Sequence, residues 1–134
     1  MSTIAESRTM TTQDLKDLFD AFNRHDIGAV MSHFADDAVF DAVGGPDAHG
    51  TRFKGRPAIA AAFETVWKTM RDARWDHRDH MVQGDRAVSE WTFSGTNPDG
   101  TSVEAEGADL FRLRDGRIVH KQAFRKQRPP LGRK

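Results

Sequence analysis

The stretch Gly107-Ala108-Asp109-Leu110-Phe111-Arg112-Leu113-Arg114-Asp115-Gly116-Arg117-Ile118-Val119 decides how this chain folds. Asp115-Gly116 supplies the positive φ that a tight, primed hairpin turn requires, and Leu110, Phe111, Leu113, Ile118 and Val119 on either side favour strands. Asp109 therefore falls in mid-strand. Alternation places Val103, Ala105, Gly107, Asp109, Phe111 and Leu113 on one face, so the acid shares that face with apolar or small neighbours. A carboxylate in such surroundings is costly unless paired. The face reads as the wall of a cavity, with Asp109 either a functional acid or base or one half of an ion pair with Lys121 or Arg125.

Working outward, further strands are expected near 74–83, 85–96, 101–114 and 117–126, joined at Gly84-Asp85, Asn97-Pro98-Asp99-Gly100 and Asp115-Gly116. Upstream the spacing changes to helical. Leu15, Leu18, Phe19 and Phe22 form one apolar stripe, with Thr11 or Thr12 as N-cap and an end near Arg24. Asp26 caps a short second helix carrying Ile27, Val30, Met31 and Phe34, which Ala35-Asp36-Asp37 breaks. Ala38 to Ala42 reads as a short strand and 43–50 as a glycine-rich loop. Gly55-Arg56-Pro57 opens a third helix with Ile59, Phe63, Val66, Trp67 and Met70 on its apolar face. Helices first and strands afterwards predict an α+β domain in which three helices cover one face of a curved antiparallel sheet.

The chain has 134 residues, enough for one domain that buries about two-thirds of its unfolded surface. Residues 1–11 read as a flexible extension, 12–126 as the domain and 127–134 as a basic, solvated tail. Lys plus Arg and Asp plus Glu number 20 each, so no global field draws in nucleic acid or an anionic membrane. With no cysteine, disulfides, thiol nucleophiles and thiolate metal sites are excluded. No apolar leader or membrane span is visible, and a cytoplasmic protein is expected.

Phe34-Ala35-Asp36-Asp37-Ala38-Val39-Phe40-Asp41, the glycine-rich loop, Phe53-Lys54-Gly55-Arg56-Pro57-Ala58-Ile59 and the terminal hairpin resemble the cone-shaped, cystatin-like domains of the nuclear transport factor 2-like superfamily. The chain is most similar to its SnoaL-like and ketosteroid-isomerase-like branch, which includes polyketide cyclases, isomerases and dehydratases. The resemblance implies a deep pocket between helices and sheet, and a homodimer formed through the outer sheet face. It places Asp109 on the strand acid of the ketosteroid isomerases and Asp41 near their general base when one residue is gapped. The oxyanion tyrosine of that family falls on Leu18, and the chain contains no tyrosine.

In the register the resemblance implies, Val119, Lys121, Ala123 and Arg125 share the pocket face with Asp109, and Val88, Glu90, Thr92 and Ser94 join them. Trp91 and Phe93 then lie outside, as a dimer surface. A slip of one residue would turn Ser89, Trp91 and Phe93 inward instead. Asp109 is the expected principal acid or base, Asp41 or His80 its proton-transfer partner, and Glu90, Lys121, Arg125, Phe63 and Trp67 the substrate contacts. His77 and His80, three apart on a strand, face opposite sides unless a bulge intervenes, so no metal is expected. His25, His33, His49 and His120 read as surface or loop residues. No cofactor is implied. The expected function is cofactor-free acid–base chemistry, such as isomerisation, cyclisation or dehydration, on a small carbonyl or hydroxylated compound. A non-catalytic ligand-binding or dimerisation module is the alternative.

Overall fold

The computed structural model describes residues 9–132. Most of the expected N-terminal extension, and the last two residues of the basic tail, lie outside the described residues. Helix α1 (Thr12–Asn23) starts at a capping box: the Thr11 hydroxyl accepts from the Asp14 amide, and the Asp14 carboxylate accepts from the Thr11 amide. It buries Leu15, Leu18, Phe19 and Phe22. His25 takes a left-handed φ of 57°, and Asp26 then caps the single-turn helix α2 (Ile27–Met31). Helix α3 (Arg56–Thr69) follows Gly55, with Pro57 in its first turn, and buries Ile59, Phe63 and Trp67 at four-residue spacing.

Six strands form one sheet: β1 (Phe34–Asp41), β2 (Arg52–Lys54), β3 (Arg74–Gln83), β4 (Arg86–Thr96), β5 (Ser102–Arg114) and β6 (Arg117–Arg125). Their order is β2-β1-β6-β5-β4-β3. The sheet is mixed rather than antiparallel throughout, because β1 runs parallel to β6. Residues 34–37 belong to β1 instead of ending a helix, since β6 offers Phe34 a backbone partner at Ile118 that sequence periodicity does not reveal. One tight turn joins β5 to β6: Asp115 and Gly116 have φ of 52° and 74°, as the primed hairpin requires.

The core lies between the helices and the concave face, where Phe34, Phe40, Phe93, Phe111 and Ile118 meet Leu15, Leu18, Phe22, Ile59 and Phe63. Each such side chain contributes about 1.5–3 kcal/mol by leaving water. Asn23 ties the end of α1 to the sheet edge: its amide donates to the Trp75 carbonyl at 2.9 Å and its carbonyl accepts from the Trp75 amide at 2.8 Å. Met10 is buried against this core, ahead of the first helix. Leu131 in the tail forms a backbone bridge with Ser102. No described helix is long and apolar enough to cross a membrane.

Candidate active site

Asp109 and Lys121 stand on adjacent strands of the concave face, in a pairing where Asp109 opposes Ala123 and Phe111 opposes Lys121. Lys121 Nζ donates to Asp109 Oδ1 at 3.1 Å, and Trp91 Nε1 donates to Asp109 Oδ2 at 3.0 Å. Both carboxylate oxygens are thus occupied, and Asp109 is fully buried. Gly107 makes the second bond possible. Trp91 lies directly opposite Gly107, and a Cβ there would sit 2.5 Å from the indole ring, so the missing side chain is the space the ring fills. Burial pushes the Asp109 carboxyl above the ordinary aspartate value, while the Lys121 ammonium and the two hydrogen bonds pull the other way.

The ammonium has aromatic rings on its other sides. Nζ lies 4.7 Å from the centre of the Phe40 ring and 5.5 Å from those of Phe22 and Phe63. It opens into a cavity of about 450 Å³ between α3 and the sheet, walled by Phe22, Phe40, Phe53, Phe63, Trp75 and Phe93. Arg125 lines the same cavity, its guanidinium stacked 5.0 Å from the Phe93 ring centre. Burial pushes that guanidinium down from its ordinary value, and it has no carboxylate partner among the described residues. A guanidinium keeps its charge in proteins, so this one is a half-buried cation with no ion-paired carboxylate among the described residues.

A second polar line enters from the opposite edge. β3 carries one extra residue between His77 and His80, so His77 opposes Trp91 and His80 opposes Ser89, both on the concave face. Their rings meet, with Nδ1 of His77 at 2.8 Å from Nε2 of His80. His77 Nε2 is 3.0 Å from Asp20 Oδ1 on α1, and His80 Nδ1 is 2.8 Å from the buried Ser89 hydroxyl. One assignment satisfies every group: Ser89 donates to His80, His80 to His77, and His77 to Asp20. Ser89 in turn lies directly opposite Asp109 on β5. No set of three or more metal-ligating side chains converges among the described residues.

The family model for a SnoaL-like domain matches residues 15–121. The chain belongs to the SnoaL-like family. The fold is shared with a Xanthomonas campestris protein of unknown function with a cystatin-like fold, which is 20% identical at a TM-score of 0.76, covering 89% of this chain and 92% of that one. A candidate polyketide cyclase from Pseudomonas putida is 21% identical, with a TM-score of 0.72 and 87% and 91% of the two chains covered. A Catenulispora acidiphila protein with a ketosteroid isomerase-like fold, solved in complex with trimethylamine, is 20% identical, with a TM-score of 0.74 and 86% of each chain covered. No curated protein matches the sequence.

Within this SnoaL-like domain several expected site residues stand elsewhere. Glu90 points to the convex face, because β4 turns Ala87, Ser89, Trp91 and Phe93 inward and leaves Val88, Glu90, Thr92 and Ser94 outside. Glu90 instead lines a second hollow of about 960 Å³ with Arg78, Glu106 and Phe124, which shares Ala42, Val43, Ala123 and Arg125 with the inner cavity. Trp91 and Phe93 are buried and form no outer surface. On β6 the extra residue Val119 sits in a bulge, and Ile118 takes the inward place. Asp41 also lies away from Asp109. Arg52 grips it through Nε at 2.7 Å and Nη2 at 3.0 Å, and His120 Nε2 contacts it at 2.7 Å. The Arg52 hydrogen bonds hold its carboxyl below the ordinary value against the opposing effect of burial, with His120 assisting.

Phe63 lines the cavity, whereas Trp67 packs away from it, stacked on His25 with ring centres 5.0 Å apart. His25 and His120 are thus bonded parts of the structure rather than simple surface residues. Sequence reasoning placed Asp109, Lys121 and Arg125 on one face, turned Ser89 and Trp91 inward only in the alternative register, and weighed His77 only as a metal ligand. Apolar parity along β4 was the available signal for Ser89 and Trp91, since Trp91 and Phe93 are its largest side chains.

Proposed function

We propose that the inner cavity carries out cofactor-free acid–base chemistry of the isomerase, cyclase or dehydratase kind on a small carbonyl compound bearing an anionic group. One observation carries this reading: Lys121 presents a single amine on the floor of a mainly apolar cavity, with Asp109 behind it and Arg125, which has no carboxylate partner among the described residues, at the side. Such a pocket, apolar with a few polar groups aimed inward, is the usual form of a small-molecule site. The substrate's anionic group meets Arg125. Its carbonyl oxygen accepts a hydrogen bond from Lys121, which stabilises the enolate that forms when solvent water takes the proton from a neighbouring C–H. Asp109 acts through Lys121, because both of its oxygens are already bonded and none of its surface is open.

The test is deuterium exchange at the carbon beside the carbonyl of phenylpyruvate and of small cyclic ketones in heavy water, followed by NMR. Exchange faster than in buffer, lost in Lys121→Met, supports the reading. Equal exchange with wild type, variant and buffer overturns it for these classes.

The complete burial of Asp109 favours one other reading, a ligand-binding module in which the ion pair is purely structural. It predicts ligand-dependent thermal stabilisation with no exchange. We extend the proposal to a cytoplasmic homodimer that uses the convex face. Phe124 is exposed there, beside Glu90 and Glu106.

A further inference from the structure

We propose that Lys121 is a covalent catalytic residue, whose Nζ condenses with the carbonyl carbon of an aldehyde or ketone in the inner cavity to form an imine, while Asp109 moves the protons. The inference rests on the carbonyl-substrate reading above and deepens it by naming the bond.

Accessibility favours Nζ over the carboxylate. Lys121 lines the cavity and Asp109 does not, so a carbonyl entering between Phe40 and Phe63 meets the amine first. The other lysines within the described residues, Lys16, Lys54, Lys68 and Lys126, are exposed and hydrated, whereas Lys121 is buried. A lysine amine in an apolar pocket is the form in which this side chain acts as a nucleophile. Nucleophilic attack needs the unprotonated amine, and Asp109, 3.1 Å away, is the group placed to take the proton. Burial pushes the Asp109 carboxyl above its ordinary value, which suits it to hold that proton.

The steps balance. The ammonium gives one proton to Asp109, and the freed Nζ lone pair attacks the carbonyl carbon. The C–O π pair moves onto oxygen, which takes a second proton from nitrogen and leaves a carbinolamine. Asp109 returns its proton to the carbinolamine nitrogen, which passes it to the hydroxyl, and the nitrogen lone pair then expels that group as water. Ketone plus ammonium has become protonated imine plus water, with an Asp109 carboxylate beside the new cation. The protonated imine draws electrons from the adjacent C–H bond, so the same intermediate serves isomerisation, ring closure and dehydration.

The experiment treats the full chain with phenylpyruvate and sodium cyanoborohydride, which reduces an imine to a stable amine, and maps the product by mass spectrometry. The proposal expects one adduct, of the probe's mass less one oxygen, on the peptide holding Lys121. Its yield should exceed that at any exposed lysine by about tenfold or more, as expected of a reactant held in place. Lys121→Arg and Lys121→Met should both lose it. Reduction spread over the exposed lysines overturns the proposal. So does a shift of the Trp91 indole N–H resonance on adding phenylpyruvate without an adduct at Lys121; in that case the acid–base reading stands if deuterium exchange at the probe is accelerated. Absence of both signals overturns the two together, whereas the Lys121 adduct without deuterium exchange supports the imine and sinks the acid–base reading.

Discussion

Lys121 is held by contacts that only its own charge state and shape satisfy: one carboxylate oxygen and three ring faces. Removing Asp109 strands a buried cation, and breaking a buried pair by deleting one partner costs about 3–5 kcal/mol. Asp109→Ala is therefore expected to lower unfolding free energy by that amount in urea titration, while the Asp109→Ala, Lys121→Met double variant recovers a large part of it. An additive double variant would mean that the two side chains do not depend on each other. Asp109 was legible because a carboxylate in an alternating apolar strand has few explanations. Its second partner was less so. Trp91 reaches the carboxylate across a glycine in the neighbouring strand, and the spacing between residues 91 and 107 has meaning only once the pairing of β4 with β5 is known.

Elements were legible where the signal is local and obscure where a strand gains one residue. The hairpin at Asp115-Gly116, the cap at Thr11 and the Pro57 helix start each depend on a few consecutive residues. The bulges in β3 and β6 do not. Each reverses the facing of everything beyond it, which is how His77 and His80 come to lie on one side and Ile118 replaces Val119. The β3 bulge has a consequence for pH. Burial, then the charges of His77 and Lys16, hold the His80 imidazole below its ordinary 6.5, with Asp79 and Asp20 opposing. The groups facing it are Lys16, Phe19 and Asp20 from α1, Ser89 from β4, and His77 and Asp79 from its own strand. Between the depressed native value and 6.5 the unfolded chain binds a proton that the native state refuses. This contribution to stability is complete above the ordinary value and declines as pH falls through it toward the native one. The urea midpoint should drop on acidification across that window, and less so in His80→Phe. Equal pH slopes for the two proteins would assign the effect elsewhere.

At the scale of the whole molecule, the two faces of the sheet divide the work. The concave face holds the cavity and its cations; the convex face carries Glu90, Glu106, Arg78 and the exposed Phe124. With a formal net charge of +0 at pH 7, little repulsion keeps copies apart. Phe124→Asp is expected to shift sedimentation toward a monomer without changing the melting temperature, and an unchanged profile would remove the convex face as the dimer surface.

The sheet's order has a further consequence, in time rather than space. β1 emerges early, yet apart from the three-residue β2 its pairing partner is β6, made some eighty residues later. Long-range pairing of this kind closes slowly and leaves strand edges exposed meanwhile. Until the final strand is synthesised, Phe34 and Phe40 lack their β6 partners Ile118 and Lys121. A chain stopped at the Asp115-Gly116 turn keeps all three helices but lacks half of the ion pair and the seam that joins the two ends of the fold. For this domain, completing the sheet and completing the site are the same late event.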